Sequence, residues 1–219
     1  MSINKKLFAC FIIALSLVPT AEAKDDVLVN CHLTPSIPAP EHYPGVENIP
    51  TTNDLRRKTG SAVIAKGQPM RLIGRVVDEN CVPVADAKVE IWQANFYGYY
   101  QDEAKKIDEV NDENFLGAGE YITNNLGQFD FISIKPGSLG WKAPQIHIKI
   151  TKEGFDEVNT TLYFEDEPKT DSDPAFAKLT PDIQKLLIAR RRLLEDKKDP
   201  EVYYYFDVAL RGKNSTVGY

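Results

Sequence analysis

Three histidines, His32, His42 and His147, are the only imidazoles in the 219-residue sequence, so any imidazole-based metal or proton chemistry must use them. Few other catalytic devices accompany them. There is no paired-cysteine metal motif, no glycine-rich phosphate loop and no nucleophile elbow, which sets aside zinc ribbons, P-loop enzymes and α/β-hydrolases. What stands out is the run Trp92-Gln93-Ala94-Asn95-Phe96-Tyr97-Gly98-Tyr99-Tyr100, which ends in a cluster of phenols. On residue types alone this run is aromatic packing after a strand. His147, inside the alternating stretch Ile146-His147-Ile148-Lys149-Ile150, is then a strand histidine in a polar pocket.

The elements that must hold these residues are mostly strands. Leu72–Asp78, Ala87–Ala94, Glu120–Thr123, Gln128–Ile132, Ile146–Ile150, Thr160–Phe164 and Tyr203–Leu210 are β-rich or alternate as half-buried strands do. Turn residues separate them, Asn124-Asn125-Leu126-Gly127 being the plainest. The pattern predicts one mainly β domain, an antiparallel sandwich or barrel, and of the two an antiparallel β-sandwich with one or two peripheral helices is expected. One helix is predicted over Pro181–Asp196, with Thr180 as cap, Pro181 at the first position, and Ile183, Leu186, Leu187, Leu193 and Leu194 near one face. Residues 24–67 carry Pro35, Pro38, Pro40, Pro44 and Pro50 with little periodicity. They read as an extended N-terminal arm wrapped on a domain spanning 68–219.

Composition narrows the partners. Hydrophobic residues make up 42% and charged residues 26%, an ordinary globular balance that excludes a disordered chain. Lys and Arg number 26 against 32 Asp and Glu, so the electrostatic footprint of a nucleic-acid binder is missing. The nearest basic run, Arg190-Arg191-Arg192, falls in the predicted helix beside Glu195 and Asp196 and reads as a solvated helix face. Residues 1–23 read as a signal peptide: Lys5 and Lys6 precede the apolar stretch Leu7–Val18, and Ala21-Glu22-Ala23 offers a cleavage site before Lys24. That stretch is shorter than the roughly 20 residues a bilayer span needs, so export is expected and no transmembrane segment in the mature chain. Cleavage removes Cys10 and leaves Cys31 and Cys81. An even pair in an oxidising compartment points to one disulfide, with two buried thiols as the alternative.

The ordered segments resemble the intradiol ring-cleavage dioxygenases, the family of protocatechuate and catechol dioxygenases, and in particular its secreted branch. Leu72–Asp78, Pro83-Val84 and Ala87–Asn95 are similar to the family's strand, turn and "VEIWQAN" strand. Thr123–Phe131 resembles its hairpin, Ile134-Lys135-Pro136-Gly137 its "IKPG", and Leu162-Tyr163-Phe164 and Phe206–Gly212 its later strands. The likeness runs from about Leu33 to Arg211.

This resemblance implies a mononuclear non-haem Fe(III) held by two tyrosinates and two histidines, with an arginine beside them, and a catechol-like substrate opened by O2 between its hydroxyl-bearing carbons. Hard phenolate and imidazole donors suit ferric iron. Tyr100 matches the first tyrosine ligand. The loop that reads like "PGWYSGRAPHIH" in secreted relatives is matched without a gap by Pro136–His147. His147 takes the place of a histidine ligand, Gln145 stands where the other histidine would be, Leu139 at the second tyrosine and Lys142 at the arginine. Thr161 replaces a glutamine before the "LYF" strand. The expected metal residues are therefore Tyr100 and His147, with Gln145 as a weak donor, and Lys142 keeps the arginine's charge without its two-pronged geometry. His42 or Tyr43, in the arm segment that resembles the family's "TEGPYY", could complete a rebuilt site. Tyr99 should face away from Tyr100 by strand alternation.

Two functions follow. One is an exported Fe(III)-dependent dioxygenase acting on a small catechol-like aromatic and O2, with an incomplete ligand set. The alternative is a non-catalytic exported β-sandwich binding module descended from the same family. Fold alone does not choose between them.

Overall fold

In a computed structural model the described residues are 31–37, 42–192 and 201–213; the leader 1–23 and the end of the expected helix, 193–196, lie outside them. Among the described residues nine strands form: β1 (Pro69–Asp78), β2 (Lys88–Gln93), β3 (Ala118–Ile122), β4 (Gln128–Ile134), β5 (Gln145–Thr151), β6 (Val158–Phe164), β7 (Ile188–Arg192), β8 (Val202–Tyr205) and β9 (Val208–Leu210). Two short helices, α1 (Gln101–Ala104) and α2 (Pro181–Leu186), accompany them.

The strands run in the order β3-β2-β5-β6-β7-β8-β1-β4, with β9 also on β1. The two ends of this path, β3 and β4, touch, so the sheet is nearly closed and barrel-like. Alternation fills the interior. Met70, Leu72 and Val76 of β1, Val89 and Ile91 of β2, Phe129 and Phe131 of β4, and Ile146, Ile148 and Ile150 of β5 all point inward and are buried. The arm closes the seam. Leu55 N–H donates to the Ile132 carbonyl at 2.8 Å, Ile132 N–H to the Asn53 carbonyl at 2.8 Å, and Glu120 N–H to the Thr52 carbonyl at 3.0 Å. Segment 52–55 thus satisfies backbone groups of both β4 and β3 that a gap would leave unpaired. It passes so close that a Cβ at Gly119 would collide with the Thr52 carbonyl oxygen.

The antiparallel sandwich expected from alternation holds only in its mainly β character. β1–β8, β1–β9 and β6–β7 pair in parallel, and the sheet is mixed. Alternation reports which face is buried and carries no direction, so it could not have distinguished these pairs. The single strand expected over Tyr203–Leu210 divides at Phe206-Asp207. β8 follows the first half of β1 and β9 the second, pivoting at Gly74, where any Cβ would strike the Phe206 carbonyl.

The long helix is also corrected. Thr180 Oγ1 caps α2 as expected, accepting from Ile183 N–H at 3.5 Å, but α2 stops at Leu186. The chain continues as β7, whose Ile188 and Ala189 pair with Tyr163 and Phe164 and whose Arg190–Arg192 pair with β8. Edge groups on β6 and β8 outweigh the local helix preference of Leu and Arg. The arginine run therefore lies on a strand. Cys31 and Cys81 are disulfide-bonded, with Cα atoms 5.4 Å apart, which anchors the start of the arm to the turn after β1.

Candidate active site

The outward face of β2, β5 and β6 carries the side chains that the alternation turns away from the core. His147 on β5 stands opposite Trp92 on β2 and opposite Thr161 on β6. His147 Nδ1 lies 2.8 Å from Thr161 Oγ1, which fixes the ring and leaves Nε2 pointing along the face. Nε2 meets Tyr100 Oη at 2.7 Å. Both side chains are buried, His147 at 4% and Tyr100 at 7% relative exposure, so the contact is shielded from water and strengthened accordingly.

Tyr100 reaches this position through Asn95. The Asn95 carboxamide oxygen accepts from Tyr97 N–H at 2.9 Å and Tyr99 N–H at 3.2 Å, while its Nδ2 donates to the Val110 carbonyl at 2.8 Å. That side chain folds the segment after β2 into a tight turn and delivers Tyr100 at the start of α1. Tyr97 is turned elsewhere, its hydroxyl 3.2 Å from Lys66 Nζ.

The loop before β5 forms the facing wall. Leu139, Lys142, Ala143 and Gln145 line a narrow pocket with Tyr100. Gln145 shares the outward face with His147 by alternation and stands opposite Tyr163. The loop is held from behind by Asp173, a carboxylate at 2% relative exposure. Its Oδ2 accepts from Ala143 N–H at 2.8 Å, and its Oδ1 from Ala175 N–H at 2.9 Å and Phe176 N–H at 3.1 Å. Burial, Asp173 and Tyr100 together push the Tyr163 phenol up, so it stays protonated. Neither Asp173 nor the anchoring role of Thr161 was named from the sequence. An acid among polar loop residues carries no mark of burial there, and Thr161 read only as a departure from the glutamine of relatives.

The arm completes the surroundings. The His42 ring stacks on Tyr100, and Tyr43 meets Trp92 edge-on at 5.0 Å between centroids. The His42 nitrogens face Asp102 Oδ2 at 3.3 Å and Glu103 Oε1 at 3.9 Å. Burial and Glu90 raise the Tyr43 phenol, whose oxygen is buried without a hydrogen-bond partner.

As a metal site the arrangement is half built. Tyr100 and His147 offer a phenol oxygen and an imidazole nitrogen of suitable hardness, side by side. Leu139 offers no donor atom, and an amide oxygen at Gln145 is a poorer ligand than imidazole. Among the described residues no group of three or more His, Cys, Asp or Glu is placed to hold a metal ion. The residues present do not fit a four-donor ferric shell.

The chain is thus a nearly closed, barrel-like β protein with a buried Tyr–His pair beside a loop-walled pocket. Residues 38–212 match the family model Dioxygenase_C, described as dioxygenase, and the chain belongs to the intradiol ring-cleavage dioxygenase family. It is 32% identical over 181 residues to the protocatechuate 3,4-dioxygenase beta chain of Burkholderia cepacia, covering 78% of this chain and 77% of that one. A Rickettsia typhi protein whose name says dioxygenase and gives no substrate is 30% identical over 217 residues, covering 95% of this chain and 97% of its own. Among solved structures, the dioxygenase domain from Streptomyces sp. SirexAA-E superposes with a TM-score of 0.62 at 25% identity, covering 83% of this chain and 99% of that domain. The family acts on catechol-like substrates with O2 and is generally Fe(III)-dependent. Among the described residues no helix is long and apolar enough to cross a membrane.

Proposed function

We propose that this chain, exported after cleavage near Ala23, takes a small catechol-like aromatic at the Tyr100–His147 pair in the manner of its dioxygenase family. The observation that carries the reading is the buried 2.7 Å contact between Tyr100 Oη and His147 Nε2, with Tyr100 also lining the cavity of about 470 Å³ beneath His42 and Tyr43. The 2.7 Å contact places one shared proton between Tyr100 Oη and His147 Nε2, with the Thr161 hydroxyl hydrogen-bonded at Nδ1 on the other side of the ring. A substrate phenol entering beside Tyr100 comes within reach of the same Tyr–His pair for proton transfer, with Lys142 on the adjoining loop as the positive charge offered to a phenolate.

A second reading, aromatic binding without ring opening, is supported by Leu139 and Gln145 in the pocket wall. The experiment is metal analysis and a visible spectrum of purified mature protein, with catechol turnover, for the wild type and for Leu139→Tyr/Gln145→His. The expected result is little iron in the wild type. The double variant should bind ferric iron more tightly and show phenolate-to-iron absorption, because it adds two hard donors. Wild-type protein that binds catechol without iron favours the second reading. Stoichiometric iron and ring cleavage in the wild type would mean that other residues complete the shell. Absence of catechol binding in both proteins overturns the proposal.

A further inference from the structure

The His42 ring lies over Tyr100 with centroids 4.4 Å apart and planes 12° from parallel, the geometry of one aromatic ring resting on another. It is held there at some expense. His42 has a φ of 62°, in the left-handed region that non-glycine residues seldom occupy, and such a residue persists only where its surroundings fix it. Three contacts do so: Asp102 Oδ2 at 3.3 Å from Nδ1, Glu103 Oε1 at 3.9 Å from Nε2, and the Tyr100 ring itself. Beside the stacked pair opens a cavity of about 470 Å³, lined by His42, Tyr43, Trp92, Tyr100 and Lys105 among others. That volume is ample for a single-ring ligand. Yet the face of Tyr100 on which a planar ring would rest is already taken.

We infer that His42 is an internal competitor for aromatic ligands. Its imidazole occupies the stacking position on Tyr100, and a planar aromatic gains that face only by displacing it. His42 is therefore a specificity-determining residue: a ligand must stack on Tyr100 better than imidazole does, which favours flat aromatic rings over small polar molecules. This rests on the reading that the site takes an aromatic, and adds which residue sets the threshold for binding.

The test uses the full mature chain and catechol as probe, with affinity measured by titration calorimetry. His42→Asn tolerates the left-handed backbone and retains a polar group toward Asp102, but has no aromatic ring. It should bind catechol about three- to tenfold more tightly, the worth of one aromatic stack. His42→Trp, with a larger ring, should bind it more weakly. In the wild type, the His42 ring protons should resonate upfield through the Tyr100 ring current and move toward free-imidazole positions as catechol is added. This second readout needs no variant to fold. Binding in the wild type that is unchanged or weakened in His42→Asn, with no movement of the His42 resonances, overturns the inference while leaving the aromatic-binding reading standing. No catechol binding in any of the three proteins overturns both.

Discussion

Two atoms decide what the Tyr100–His147 pair can do, Tyr100 Oη and the ring nitrogen it meets. The second is presented by Thr161, because the hydrogen bond at Nδ1 fixes how the ring is turned and leaves Nε2 toward Tyr100. Thr161→Val keeps the shape and removes the hydroxyl. The expected outcome is a catechol affinity about fivefold lower with little change in melting temperature, since one lost hydrogen bond is worth about 1 kcal/mol. An equal affinity in the valine variant would show that the His147 ring is fixed by its packing against Trp92 instead. Tyr100 and His147 were legible in the sequence because an ungapped loop and a strand motif resemble the family's. Their nearness was implied by the resemblance, which put both on one ion; the direct hydrogen bond was not named, since 47 residues separate them and the pairing of β2 with β5 sets its geometry.

Elements deliver these residues in two ways. The strands do so by register, so one slipped residue would turn His147 into the core and Ile146 or Ile148 outward. The loop before β5 has no register to hold it, and its position depends on Asp173. Asp173→Ala removes the acceptor for Ala143, Ala175 and Phe176 N–H groups, two of them in buried surroundings. Destabilisation of about 2–3 kcal/mol by denaturant titration is expected, together with weaker catechol binding, because hydrogen bonds to a charged acceptor are the stronger class. Asp173→Asn, which keeps one acceptor oxygen, should lose less of both. If Asp173→Ala loses stability and binds catechol as the wild type does, the loop keeps its place without the carboxylate. Strand existence was readable at this scale from alternation. Direction, the division of Tyr203–Leu210 and the conversion of the expected helix end into β7 were not, because each is decided by a distant partner: β1, Gly74 and β6 respectively.

At the scale of the whole molecule the arm and the strand order close the barrel, and one carboxylate ties together strands far apart in the chain. Asp166, just after β6, accepts from Tyr204 Oη on β8 at 2.7 Å and faces Lys135 Nζ at 3.2 Å and Arg191 Nη1 on β7 at 2.9 Å. Burial pushes its carboxyl up, but Tyr204, Lys135 and Arg191 outweigh burial and hold it below the ordinary carboxylate value. The same contact and burial raise the Tyr204 phenol, so it remains a donor. The sign of the linkage follows. Asp166 binds its proton less readily folded than unfolded, so its stabilisation is in full force above the unfolded value of about 3.9 and fades as pH falls through the lower folded value. Denaturant titrations from pH 7 to pH 3 should therefore show wild-type stability declining on the acid side. Asp166→Asn should be less stable at pH 7, retaining only neutral contacts to Lys135 and Arg191, and its stability should depend less steeply on acid. Because the group is about a quarter exposed, added salt should narrow the difference between the two proteins at pH 7. Parallel pH curves for wild type and Asp166→Asn would mean that the acid sensitivity of this fold resides in other carboxylates, with the buried Asp173 the next to replace.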